Sequence, residues 1–243
     1  MPSWSVDLSL SGRDLRVATL EPLGRIGAPG PCSVVALVSG SATVDGHPLN
    51  GSGIFAAPGR EIVAGPAGCM LGAICWEGAP PSREARIEST DSRYFEKYDS
   101  FQAQLRVCDG GRDLLSPWEL YHVRMVAEAR REVQLHVHHV VTNVLFVRGP
   151  IGVQRGYLVV KRDGRVEAMP LLGGDRAIVR PGLSHTVLPV EARDPIEMVV
   201  FNNDLSRYED VEHSDFHLLE TVPWDDVLVR PRTDTRPRLT VAP

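Results

Sequence analysis

The run Leu135-His136-Val137-His138-His139-Val140-Val141-Thr142-Asn143-Val144-Leu145-Phe146-Val147-Arg148-Gly149 decides how this chain folds. Apolar and β-branched residues surround the histidines and a glycine closes the run, as in a strand that enters a turn. In an extended strand, residues two apart project to the same face. His136 and His138 therefore present two imidazoles about 7 Å apart along one side. Such a pair is half of a metal site. His139 follows directly and belongs to the opposite face.

Outward from this run the pattern stays that of strands. Twenty-two glycines and nineteen prolines cut the 243 residues into segments too short for most helices, which predicts an all-β chain. Toward the C-terminus, expected strands are 119–126, 133–139, 143–147, 152–161, 165–169, 177–179, 184–190 and 196–202. Toward the N-terminus they are 15–20, 33–38, 42–44, 53–56, 61–64 and 69–76, joined by turn pairs such as Asp45-Gly46 and Pro58-Gly59. Glu77 to Leu115 changes character, with Tyr94, Phe95, Tyr98 and Phe101 in a charged context. It reads as a connection that holds a short helix or packs across the surface. After Asp204 the chain is polar and proline-rich, and its last fifteen or so residues read as an arm on the surface, or loose. The resulting division is 1–78, 79–116, 117–203 and 204–243.

The halves repeat. Val34-Val35-Ala36-Leu37-Val38-Ser39-Gly40 matches Val144-Leu145-Phe146-Val147-Arg148-Gly149, and each is followed later by a Pro-Gly turn, at Pro58-Gly59 and Pro181-Gly182. In the second half that turn reads Pro181-Gly182-Leu183-Ser184-His185. His185 stands at the start of the next strand, where it can turn inward as a third ligand. Two histidines from one strand and one from a neighbour leave open positions on a metal, as catalytic sites require. Aligning Gly40 with Gly149 sets Gly27 and Pro29 at the places of His136 and His138, and aligning the turns sets Ile62 at that of His185. The first half is thus expected to be a copy without ligands.

Composition narrows the function. A net charge of −5 gives no footprint for nucleic acid or an anionic membrane, so a small-molecule substrate is the expected partner. The N-terminus lacks a basic start and a signal-length apolar run, and no segment approaches the roughly 18 apolar residues of a membrane span; the expected location is the cytoplasm. Cys32, Cys69, Cys75 and Cys108 lack C-x-x-C spacing and read as buried free thiols. No phosphate-binding or dinucleotide-binding glycine motif and no G-x-S-x-G elbow occurs.

In these motifs the chain resembles the cupin superfamily. His136-Val137-His138 followed by Gly149, and Pro181-Gly182-Leu183-Ser184-His185, match the order of the two cupin motifs. The resemblance covers about 119–202 with ligands and 33–76 without. It implies two cupin barrels (double-stranded β-helix, or jelly roll): a bicupin whose second barrel holds a divalent metal. Where the motif has a glutamate ligand this chain has Asn143, whose neutral carbonyl is a weaker donor, so Asn143 is either a hydrogen-bonding partner or a marginal fourth ligand. An uncompensated metal charge favours an anionic or chelating substrate, or an acid behind the ligands that orients an imidazole. Three-histidine cupins commonly use Fe(II) and dioxygen, so the resemblance implies a dioxygenase or oxygenase. Zn, Mn or Ni serving an isomerase, cyclase or lyase is the alternative, and a non-catalytic binding barrel the third. A homodimer through sheet edges fits such barrels, although two barrels in one chain satisfy that pairing internally.

Other residues are candidates for chemistry. On the strand 119–126, one face carries Glu119, Tyr121, Val123 and Met125, the other Leu120, His122, Arg124 and Val126. Tyr121, or the pair His122 and Arg124, can thus supply an acid, a base or an oxyanion partner, and the sequence leaves the face open. Gln134 shares the parity of His136. His213 and His217, four apart, invite a second metal site on a helix but read better as a polar surface turn. Asp225-Asp226 reads as solvated charge.

Overall fold

The computed structural model describes residues 2–10, 13–30, 32–49, 54–56, 60–76, 96–97, 101–106, 118–125, 132–139, 142–191, 194–203, 216–232 and 238–241. They fall into two compact units, Met1–Tyr94 with Arg106–Leu115, and Phe95–Leu105 with Ser116–Pro243. Nearly all described structure is strand, as the punctuated sequence predicts, with one short 3-10 turn at Trp224–Asp226. Among the described residues no helix is long and apolar enough to cross a membrane.

The first unit contains β1 (Ser5–Leu10), β2 (Arg13–Leu20), β3 (Arg25–Gly27), β4 (Cys32–Val44), β5 (His47–Leu49), β6 (Ile54–Ala56) and β7 (Glu61–Trp76). They form one sheet in the order β1-β2-β7-β4-β5, with β3 also on β7 and β6 on β4. Two long strands each serve two neighbourhoods. The start of β4 pairs with β6 and its end with β5; the start of β7 pairs with β3 and its end with β2. Between these halves β4 carries irregular register at Leu37/Ser39 and Gly40/Ala42, and Gly40 adopts φ 79°. A Cβ at Gly40 would run into the Gly68 carbonyl oxygen, so glycine alone lets the two strands cross that closely. The buried core draws on β2, β3, β4, β5 and β7, including Leu20, Ile26, Leu37, Val44, Ile62 and Leu71.

The second unit contains β8 (Glu96–Lys97), β9 (Phe101–Arg106), β10 (Trp118–Met125), β11 (Glu132–His138), β12 (Asn143–Val147), β13 (Gln154–Arg162), β14 (Arg165–Leu172), β15 (Arg176–Val179), β16 (Ser184–Pro189), β17 (Ile196–Asn203), β18 (Phe216–Pro223), β19 (Leu228–Val229) and β20 (Arg238–Val241). Two sheets result, β20-β15-β12-β17-β10-β9-β8 and β18-β11-β16-β13-β14-β19. The interior cluster takes Leu145 and Val147 from β12, Val179 from β15 and Met198 and Val200 from β17. From the other sheet it takes Leu158 and Val160 of β13 and Val187 of β16. Its core therefore lies between the sheets, as in a jelly roll.

Strand order confirms the internal repeat. The run β2-β7-β4-β6 of the first unit recurs as β10-β17-β12-β15, and β3-β7-β4-β5 recurs as β11-β16-β13-β14. What the first unit writes with two bent strands, the second writes with four separate ones.

Two segments hold strands that the sequence did not announce. Within 79–116 the described residues form β8 and β9, which continue the sheet beyond β10. The segment after 203, expected as a tail whose last fifteen or so residues form an arm or lie loose, contributes three more. β18 pairs along the whole of β11, β19 runs parallel to β14, and β20 runs parallel to β15. The cause lies in β11 itself: Val133 and Leu135 are fully buried on the side away from the interior, in a second cluster with Val159, Val166, Ala168 and Val227. That apolar side needs a cover and the strand needs an edge partner. β18 supplies the partner, and Val222 and Trp224 help supply the cover, Trp224 lying 5.4 Å from Tyr157 between ring centroids.

Candidate metal centre

The centre is assembled by backbone pairing. Pro181 and Gly182 make the turn before β16, and Gly182, at φ 82°, donates its N–H to the His138 carbonyl at 2.7 Å. This bond ties the turn to the end of β11. Leu183, buried in the interior cluster, anchors the next step. β16 then runs antiparallel to β11 with His136 directly opposite His185. Directly opposed residues share a face, so the two motifs, far apart in sequence, put their imidazoles together.

The geometry is compact. Ring centroids are 4.4 Å apart for His136 and His185, 5.2 Å for His136 and His138, and 5.6 Å for His138 and His185. One ring nitrogen from each lies within 4.8 Å of the others. His185 sits opposite Val160 and two residues from Val187, both in the interior cluster, which places the histidines on the interior side.

The donors are prepared for a cation. His185 is 3% exposed, and its Nδ1 lies 2.9 Å from the Leu183 carbonyl oxygen. A carbonyl only accepts, so Nδ1 carries the proton and Nε2 keeps its lone pair. Burial pushes His185 down from 6.5 to about 4, against the opposing pull of that hydrogen bond. His136 is also held well below the ordinary value, chiefly by burial and then by the charges His185 and His138 would carry. Three imidazoles within 4.8 Å of one another, two of them held unprotonated by burial, fit a divalent metal, which His136, His138 and His185 would hold.

An acid-stability prediction follows from these directions. Unfolded His185 takes up a proton near 6.5, whereas the folded residue refuses it until about 4. Between those values the unfolded chain binds more protons, so stability falls as pH drops through the window. The shift of 2.5 units, 6.5 minus 4, corresponds to about 3 kcal/mol once the pH is below 4. His136 adds in the same direction. Urea unfolding of metal-free protein at several pH values, beside His185→Gln, should show a steeper acid loss in the natural chain. Parallel losses would count against this.

Other candidates are distributed as follows. Asn143 is 5% exposed and begins β12; Leu145 and Val147, on its face of the strand, belong to the interior cluster, so Asn143 borders the same interior as the histidines. Its Oδ1 is buried with no hydrogen-bond partner. The register of β10 sets Tyr121 opposite Val200 and His122 opposite Val199; the side chains of both lie outside the described residues. Gln134 is half-buried with the parity of His136, and His139 is exposed. His217 stands on strand β18 opposite Val137, so no helix brings it to a second site, and His213 lies outside the described residues. Asp225 and Asp226 are exposed in the 3-10 turn. Cys69 and Cys75 are buried free thiols that burial pushes to about 11 and about 12, which keeps them protonated and inert. The Cys32 side chain and Cys108 lie outside the described residues.

Two features escaped the sequence. The Leu183 carbonyl orients His185, and no residue type signals a backbone acceptor. The counterpart of His136 in the first unit is Ile26, not Gly27, because β3 sets Ile26 opposite Ile62 as β11 sets His136 opposite His185. Aligning glycines measures spacing to a turn, whereas hydrogen-bonded register fixes the face. Ile26 and Ile62 are buried in the first core, so an apolar pair stands where the second unit has ligands.

No family model matches the chain, and no curated protein matches it either. Its fold is similar to several solved structures. An oxalate decarboxylase of Bacillus subtilis is 11% identical, with a TM-score of 0.54 over 86% of this chain and 71% of that one. A cupin 2 conserved barrel domain protein of Leptotrichia buccalis is 11% identical, with a TM-score of 0.51 over 84% and 89%. Vicilin from Corylus avellana, hazelnut, is 9% identical, with a TM-score of 0.53 over 81% and 76%. Identities this low carry the fold alone. Together with the strand order written twice, they make the chain a cupin in fold, of the two-barrel kind.

Proposed function

We propose that the second barrel is a metal-dependent enzyme for a small organic molecule, and that its chemistry is that of an Fe(II) oxygenase. The observation that supports this is the set His136, His138 and His185, joined by no carboxylate or thiol among the described residues. Three ligands on one side leave room for substrate and a second reactant. When bound, such a metal supplies Lewis acidity and, as iron, one-electron chemistry with dioxygen. The chain's own part is to hold His136 and His185 unprotonated, to orient His185 through Leu183, and to line the interior with Val160, Val187, Leu145 and Val179, which exclude water.

Elemental analysis of purified protein beside His136→Ala, followed by oxygen uptake after anaerobic Fe(II) loading, tests this reading. Iron bound in the natural chain and substrate-dependent uptake are expected; metal in equal amounts in both proteins would end it. A second reading has support from a solved structure of the same fold, since the oxalate decarboxylase of Bacillus subtilis has Mn(II) centres. It is a non-redox isomerase, cyclase or lyase using Mn, Zn or Ni. Full activity with redox-inert Zn and no oxygen uptake would select it.

A further inference from the structure

Resting on the metal reading above, we propose that the centre takes its substrate as a small chelating anion with a hydrogen-bond donor beside the charged oxygen, the 2-hydroxy carboxylate class, the donor meeting Asn143 Oδ1. Two independent observations lead to it.

The first is charge. Three neutral imidazoles bring nothing to offset a divalent cation, no Asp, Glu or Cys among the described residues joins them, and Asn143 is an amide. The surroundings are apolar, with Leu145, Val147, Val160, Val179, Leu183 and Val187 in the interior cluster. An uncompensated charge in such a medium draws an anion out of water. A chelate, which offers two oxygens to open positions, holds better than a single carboxylate oxygen because the second contact is intramolecular.

The second is the orphaned oxygen. Asn143 is more than nine-tenths buried on the interior-facing side of β12, and its Oδ1 has no hydrogen-bond partner. A buried acceptor of this kind is satisfied in a working site. It can only accept, so what meets it is the metal itself or a donor; among the groups of a substrate, a hydroxyl fits and a carboxylate oxygen does not. A 2-hydroxy acid carries both demands on neighbouring carbons, an anionic oxygen for the metal and an O–H for the amide.

Co(II)-loaded protein titrated with glycolate, acetate and glycolamide, followed by calorimetry and the cobalt visible bands, tests this without needing the reaction. Glycolate should bind more than tenfold tighter than acetate, one well-made hydrogen bond supplying about tenfold and the chelate the rest, and neutral glycolamide should bind weakest. Asn143→Leu should keep cobalt and lower the glycolate-to-acetate ratio about tenfold, to what the chelate alone supplies. Asn143→Asp, close in shape to the natural residue, should hold cobalt more tightly and weaken both anions about tenfold. Equal binding of glycolate and acetate by the natural chain, or an unchanged ratio in Asn143→Leu, would overturn the proposal while cobalt still binds. If His136→Ala holds cobalt as well as the natural chain does, the metal reading itself has failed.

Discussion

Divalent metal at about a hundredfold excess over its dissociation constant is expected to stabilise the second unit by about 3 kcal/mol, and His185→Ala to erase that gain. The ligands come from two strands, His136 and His138 from β11 and His185 from β16. A metal bound by all three cross-links strands that are paired only in the folded state, so binding energy becomes folding energy. Removing His185 takes away the donor whose Nδ1 is fixed by Leu183, and leaves two ligands from one strand. Affinity should drop about a hundredfold or more, at the upper end of what a supporting partner alone is worth. The first unit has Ile26 and Ile62 at the corresponding places and should not respond. Urea unfolding with and without Mn(II) or Co(II) should show the shift in one transition only. A shift of equal size in His185→Ala would show that the metal sits elsewhere.

Arg232→Ala should cost about 3–5 kcal/mol, a large loss for one arginine. Asp175 is 2% exposed and accepts from both arms of the Arg232 guanidinium, one of them at 3.0 Å, and from the Leu172 N–H at 2.7 Å. Arg232 also reaches the Pro170 carbonyl at 3.4 Å. Truncating the arginine leaves a buried carboxylate with one backbone donor and no countercharge. It also frees the segment that Arg230 fastens to Ala168 by a 2.9 Å backbone bond, between β19 and β20. The double variant Asp175→Asn with Arg232→Ala should recover part of the loss, because no charge then remains to be buried. A single-variant loss below about 1 kcal/mol would place the pair among surface ion pairs instead.

Much of the second unit was legible because strands announce their faces. Val133, Leu135 and Val137 alternate with Gln134, His136 and His138, and the burial along β11 follows that period. The Pro181-Gly182 turn was equally legible, since glycine at positive φ is a local demand. What stayed hidden depends on pairing between distant strands. Which residue of β3 faces Ile62 is decided by hydrogen bonds, and a spacing argument missed it by one position. The partner of Asp175 lies 57 residues away and nothing local names it. β18 was hidden because its polar neighbours gave the segment the composition of a tail, while the need for it resides in β11. The site residues were legible as types, but the unprotonated state of His185 and the unpartnered oxygen of Asn143 are properties of burial, which sequence does not carry.

The pairing of β11 between β16 and β18 also sets an order of events during synthesis. The described strands of the first unit all lie within residues 5–76, so that sheet can close while the ribosome is still making the rest. The second cannot: β11 leaves the ribosome with both edges open, and waits for residues 184–189 to cover one and 216–223 the other. From residue 138 to residue 223 the strand that carries His136 and His138 is an unsatisfied template, exposed to other chains. A nascent chain stopped before residue 216 has all three histidines and still lacks the strand that seals them in place.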